Sequence, residues 1–232
     1  MARIYLVRHG QASLLEDDYD RLSPLGETQA RLVGAWLGTR FAPPRAIFSG
    51  TLKRQRETAA WCIEGAAWPS LEVSIDAGFD EHDQDNLIAQ AFSQFADRAA
   101  LAAWLRASEH PRRAFHSLFE RAFDGWLRGA TPASGTTWVQ FRQRCLASLQ
   151  KVADGCDSGQ AAVIVTSAGP IAAICQTLLG LADEQVPIVH TPLFNASITQ
   201  LLTRPGKISL STYNSVAHLE VKRDESPLIT YR

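Results

Sequence analysis

The sequence predicts an α/β fold, a mainly parallel sheet between two helical layers (a three-layer α/β/α arrangement) with an inserted helical lid. Two apolar runs lead to that expectation: Ile4-Tyr5-Leu6-Val7 and Ala161-Ala162-Val163-Ile164-Val165. Each is too short for an ordinary helix and apolar at every position, as a central strand covered on both faces must be. The third observation is that such strand patterns alternate with longer Ala- and Leu-rich helical patterns, which implies parallel crossovers. The 232 residues are 46% hydrophobic, enough to bury a sizeable core. No Pro/Gly/Ser-rich linker divides them, so one domain over residues 1–232 is expected.

The elements follow in order. After the first strand come Arg8-His9-Gly10; Ser23 then offers an N-cap hydroxyl and Pro24 suits a first helical position, opening a helix to about Arg40. Pro43-Pro44 breaks the chain before a second strand, Ala46-Ile47-Phe48, and a helical pattern starts at Thr51 with Leu52, Arg56 and Ala59 at helical spacing. Leu71 to Ile75 alternates as a third strand would. Residues from about 85 to 130 look helical throughout, with a break near Pro111. That is too long for an ordinary connection, and it reads as an insertion or lid. Trp138 to Lys151 makes a further helix, and the second apolar run leads through Ser167-Ala168-Gly169-Pro170 into an apolar helix ending near Leu179. Ser197 to Leu202 and Ile208 to Tyr213 complete the sheet.

Composition excludes several functions. With 23 basic and 24 acidic residues the net charge is −1, whereas a nucleic-acid binder normally carries a basic excess. No apolar run approaches the ~20 residues of a membrane span, and the first residues lack the apolar stretch of a signal peptide. Cys62, Cys145, Cys156 and Cys175 lie far apart without a CxxC pair, which gives no zinc or redox pattern. A soluble cytoplasmic protein is expected, with no nucleic-acid or membrane partner and with its oligomeric state open.

Chemistry concentrates at strand ends. Arg8-His9-Gly10 lies just past the carboxyl end of the first strand, where open α/β sheets place their ligand crevice. A guanidinium offers a planar fork to phosphate oxygens, an imidazole can act as nucleophile, and a glycine lets backbone approach a ligand. By itself the tripeptide is equally compatible with an ordinary loop. Ser49 to Ala59 also follows a strand and puts Arg54 where it can reach the same crevice, while Arg56 fits a solvated face beside Glu57.

Taken in order, these segments resemble the histidine phosphatase superfamily, which includes the cofactor-dependent phosphoglycerate mutases. The resemblance rests on Leu6-Val7-Arg8-His9-Gly10-Gln11, on Leu22 to Ala30, on Ser49 to Ala59 (similar to S-x-x-x-R-x-x-E-T-A but one residue longer before the arginine), and on Tyr213 to Leu219. It implies a phosphoglycerate mutase-like fold and a phosphomonoesterase. His9 would attack phosphorus to form a phosphohistidine, and Arg8 and Arg54 would hold the equatorial oxygens. A carboxylate would act as acid, then as base toward water, without metal or cofactor. Glu81 in Gly78-Phe79-Asp80-Glu81-His82-Asp83 is expected as that acid, with Asp80 and Asp83 as competitors. The expected ligand is a small phosphomonoester or inorganic phosphate.

Two departures accompany the resemblance. The family pattern places a second histidine after the fourth strand, and Ser167 stands at that position here. A serine can still donate one hydrogen bond to phosphate. Losing one preorganised donor typically costs ~10²–10³ in rate, so a slow or narrow enzyme is expected, or a phospho-ligand-binding or regulatory protein with degraded catalysis; a mutase is the weaker alternative. Backbone at Ala168, at the start of the following helix, is a secondary contact, and His82 or His190 are possible replacements for the absent ring. The second departure is Ser13-Leu14-Leu15 where many members carry an asparagine, leaving Gly10, Gln11 and Ser13 as further secondary contacts. In the insertion, Phe92, Phe95, Trp104, Phe115, Phe119, Phe123 and Trp126 fit a core better than a substrate wall, and Arg112-Arg113 fit a solvated face.

Overall fold

The computed structural model describes residues 1–13, 20–68, 71–95, 97–130, 135–220 and 228–231. Six strands form one sheet: β1 (Ala2–Arg8), β2 (Ala46–Ser49), β3 (Val73–Ile75), β4 (Ala161–Thr166), β5 (Ile198–Arg204) and β6 (Lys207–Ser215). Their order is β3-β2-β4-β1-β5-β6. The first four are parallel to one another, while β5 runs against both β1 and β6. The sheet is mostly parallel, as expected. The short hairpin from β5 to β6 makes that pair antiparallel, since a parallel pair cannot be joined that way.

Alternation along the central strands sorts side chains onto two faces. Tyr5, Val7, Val163 and Val165 join Val33 and Leu37 of α1 (Pro24–Gly38) and Ala59 and Cys62 of α2 (Lys53–Gly65) in one buried cluster. Ile4, Leu6 and Ile164 point the other way, toward α6 (Trp138–Asp154) and α7 (Ala168–Leu179). Ser23 caps α1 by accepting from the Gly26 N–H at 3.1 Å, with Pro24 at the first turn. At α6 the Thr137 hydroxyl and the Gln140 side chain complete a reciprocal capping box.

The segment expected as an insertion contains α3 (Gln84–Ala91), α4 (Arg98–Ala107) and α5 (Pro111–Leu127). Phe119, Phe123 and Trp126 are buried in the same cluster as Ile4, Leu6 and Phe141. Phe95 is buried there as well, Phe92 and Phe115 pack against the cluster, and Trp104 remains 42% exposed. These aromatics serve chiefly as core. Arg113 is exposed, while the Arg112 side chain lies outside the described residues, as do Leu14 and Leu15. Beyond the expected elements there is a short helix, α8 (Val186–His190).

Near the end of the chain, residues 228–231 lie against the first helix and the loop before β5. Gln29 Nε2 donates to Leu228 O at 2.6 Å, Asn195 N–H donates to Thr230 O at 2.8 Å, and the Phe194 and Tyr231 rings are 4.4 Å apart. Among the described residues no helix is long and apolar enough to cross a membrane.

Candidate active site

The pairing of β1 with β4 sets Arg8 opposite Thr166, so the carboxyl ends of these strands open side by side. His9 follows directly, its backbone N–H bonded to Thr166 O at 2.8 Å. Its Nδ1 lies 2.7 Å from Gly10 O. A carbonyl only accepts, so Nδ1 carries the proton and Nε2 keeps its lone pair. Gly10 is required sterically, because a side chain there would collide with the backbone of Gly26 in α1. The Gly10 N–H is in turn held by Thr58 Oγ1 at 3.1 Å.

Arg54 reaches the same point from the first turn of α2. Its Nε lies 3.2 Å from His9 Nε2, and its Nη1 lies 2.6 Å from Asp20 Oδ1. Arg8 is buried from β1, with Nη1 donating to Leu193 O. Burial first, then the charges of Arg54 and Arg8, hold the His9 imidazole well below the usual histidine range; the Gly10 hydrogen bond and Glu81 oppose that shift without reversing it. His9 is therefore uncharged near neutral pH. The structure brings His9, Arg8 and Arg54 together from separate segments, each nearly inaccessible at 5–9% exposure.

Beyond β3 the chain makes a 3-10 turn at Ala77–Phe79 and delivers three acidic side chains to different tasks. Asp80 is bonded to Thr51 through the backbone N–H at 2.5 Å and the hydroxyl at 2.7 Å. Asp83 caps α3 by accepting from Asn86 N–H at 3.0 Å. Glu81 alone turns inward: Oε2 accepts from Gly169 N–H in the first turn of α7 at 3.1 Å, and Oε1 lies 2.7 Å from His82 Nδ1. Burial on its own would raise the Glu81 pKa, but the charge and hydrogen bond of His82, the charge of His190 and the Gly169 N–H together leave it well below the usual carboxylate range. A carboxylate at a helix N-terminus is favoured by the exposed N–H groups and the helix dipole.

The remaining sequence candidates take defined places. Ser167 is wholly buried at the start of α7 and accepts from Gln55 Nε2 at 2.8 Å. Ala168, buried, is the first residue of that helix. Gln11 and Ser13 are turned to the start of α1, where Gln11 Oε1 accepts from Ser23 and the Ser13 hydroxyl donates to Leu22 O. Arg56 is exposed. His82 and His190 both lie on the Glu81 side, 6.2 Å apart and packed among Phe119 and Phe123. Sequence reasoning did not single out Asp20, Gln55 or Thr58; Gln55 and Thr58 lie within the Ser49–Ala59 segment, whereas Asp20 carries no recognisable signal. Among the described residues no group of three or more His, Cys, Asp or Glu side chains is placed to hold a metal ion.

The description of the histidine phosphatase superfamily (branch 1) matches residues 4–114 and 109–216. The chain belongs to the histidine phosphatase superfamily. The same fold recurs in solved structures of low sequence identity to this chain. A phosphoserine phosphatase of Entamoeba histolytica, bound to phosphoserine, superposes with a TM-score of 0.65 at 20% identity, covering 94% of this chain and 100% of its own. YhfR of Bacillus stearothermophilus gives 0.67 at 17%, covering 94% and 99%. A mycobacterial glucosyl-3-phosphoglycerate phosphatase with inorganic phosphate gives 0.62 at 26%, covering 93% and 98%. No curated protein matches the sequence.

Proposed function

We propose that this chain is a metal-independent phosphomonoester hydrolase that works through a phosphohistidine on His9, slowly or on a narrow set of small phosphate esters. One observation carries the reading: an uncharged imidazole with Nδ1 anchored on Gly10 and Nε2 left nucleophilic between two guanidinium groups. Nε2 attacks phosphorus while Arg8 and Arg54 balance the equatorial oxygens, whose charge must be held as the bonds to phosphorus loosen. The anion would take over the hydrogen-bonding position that His9 Nε2 now occupies on Arg54.

The departing alkoxide needs a proton. Glu81 takes up a proton beside the anionic ester, whose negative charge favours the neutral carboxyl, passes it to the leaving oxygen and then, as a carboxylate, activates water against the phosphohistidine. Of the three acids in this loop only Glu81 turns inward, to the first turn of α7 beside His82, which supports it over Asp80 and Asp83 for this role. The phosphoserine and glucosyl-3-phosphoglycerate phosphatases that share the fold favour a phosphate ester with a polar organic body, and the phosphate-bound mycobacterial structure favours inorganic phosphate as product. The expected setting is the cytoplasm.

Ser167 favours a second reading, a phosphate-ligand-binding protein with little turnover. Hydrolysis of p-nitrophenyl phosphate by the wild-type chain and by His9→Ala separates the two. Activity that the substitution abolishes supports the enzyme; background rates in both, together with retained phosphate binding, support the binder.

A further inference from the structure

We propose that Gln55 is a positioning residue that orients the Ser167 hydroxyl as a hydrogen-bond donor to the bound phosphate. The inference deepens the proposed function and rests on it.

The argument begins with the sense of one amide. Gln55 is fully buried, and its Nε2 lies 3.1 Å from Phe79 O and 2.8 Å from Ser167 Oγ. Phe79 O can only accept, so the carboxamide atom between these partners is the NH₂ group. Both of its protons are then committed, one to each oxygen. Ser167 Oγ is thereby an acceptor, and its own proton must point elsewhere.

The usual outlets for that proton and lone pair are closed. A serine at the start of a helix normally accepts from the second or third backbone N–H. Here the Gly169 N–H is taken by Glu81 Oε2 at 3.1 Å, and Pro170 has no N–H. The Ser167 side chain accordingly makes no capping bond to α7. Thr166 competes for no outlet either, since its hydroxyl donates to Phe79 O at 2.6 Å. Among the described residues nothing accepts the Ser167 proton, although the residue is wholly buried. A buried donor without an acceptor costs free energy, and such a group calls for an explanation in the molecule's function.

Position supplies one. The Thr166 carbonyl immediately before Ser167 holds the His9 N–H at 2.8 Å, and Gln55 adjoins Arg54, whose Nε lies 3.2 Å from His9 Nε2. The hydroxyl therefore stands at the same pair of strand ends as the nucleophile and the guanidinium groups. A tetrahedral anion seated there accepts its proton. Gln55 acts only through Ser167: it fixes which way the hydroxyl points and need not touch the anion.

The test is a double-mutant cycle on the full-length protein, read by calorimetric titration with inorganic phosphate and by kcat/KM for p-nitrophenyl phosphate. Gln55→Met keeps the volume and removes the donor. Ser167→Ala should weaken phosphate binding by roughly tenfold or more, the worth of a hydrogen bond to a charged group. Gln55→Met should lose nearly as much, yet cost little further in the Ser167→Ala background. Additive losses would mean that Gln55 serves packing alone and overturn the proposal, as would a Gln55→Met variant that binds phosphate like the wild type. Should Gln55→Met fail to fold, Gln55→Asn, which keeps the amide but is too short to span to Ser167, carries the same comparison. A wild-type chain that neither binds phosphate nor hydrolyses the ester removes the proposed function and this inference together. Phosphate binding that is unchanged by either substitution removes the inference alone.

Discussion

His218 illustrates how burial sets a proton affinity. The ring is 5% exposed and lies 6.2 Å from Trp36. Burial pulls its pKa down to about 4, with the Ala196 backbone opposing the shift and the Arg40 charge assisting it. Above pH 6.5 neither the folded nor the unfolded chain protonates this residue, and stability is unaffected. As pH falls from 6.5 toward 4 the unfolded chain gains a proton that the folded chain refuses. Folding stability should therefore drop by about 3 kcal/mol across that window. His9 shifts in the same direction, so His218→Gln should flatten the dependence only in part. Urea titrations at pH 7, 5.5 and 4 would measure the slope. At Glu81 the chemistry itself is at stake: Glu81→Gln should slow alkyl phosphates with poor leaving groups far more than p-nitrophenyl phosphate. Equal losses on both would remove Glu81 as the proton donor. That Arg8, His9 and Arg54 lie close together is legible in the sequence, because these residues follow strand ends in order. The sharing of tasks among Asp80, Glu81 and Asp83 was not, since adjacent acids in a loop look alike until their partners are placed.

At the scale of elements, the N-terminus of α7 carries unusual traffic. Its Gly169 N–H binds Glu81, and a Cβ on that glycine would collide with Glu81 Oε1 and crowd His82 Nδ1. Gly169→Ala should displace the Glu81–His82 pair while leaving β4 and α7 paired and packed. The expected result is a large fall in kcat with a melting temperature lowered by only a few degrees, checked by kinetics beside thermal denaturation. The element pattern itself was readable where one physical cause dominates. β1 and β4 are apolar on both faces, and α1 begins with a hydroxyl cap followed by proline. β3 proved shorter than its alternating pattern, since Leu71 and Glu72 precede the pairing with Ile47 to Ser49. The reversed direction of β5 was hidden as well. Strand patterns record which faces are buried and say nothing of polarity, which is decided by the partner.

For the molecule as a whole, the helices of residues 84–127 are bound to the sheet through one aromatic cluster. Phe123 lies 4.6 Å from His190, 5.5 Å from His82 and 5.8 Å from Trp138, which joins α5 to the acid loop, α6 and α8. Phe123→Ala should cost about 3–5 kcal/mol. The loss should appear in a single cooperative transition rather than as separate melting of α3 to α5. Two resolved transitions in calorimetry would show that those helices behave as an independent unit. The chain's last described residues have a comparable reach. Thr230 grips Asn195, the neighbouring Ala196 N–H holds His9 O at 3.1 Å, and Leu193 O holds Arg8. A purification handle fused at the carboxyl end would therefore tug on the loop that bonds to His9 and Arg8, whereas one placed ahead of Met1 sits at the far end of β1. Preparations tagged at opposite ends should not be assumed to turn over alike.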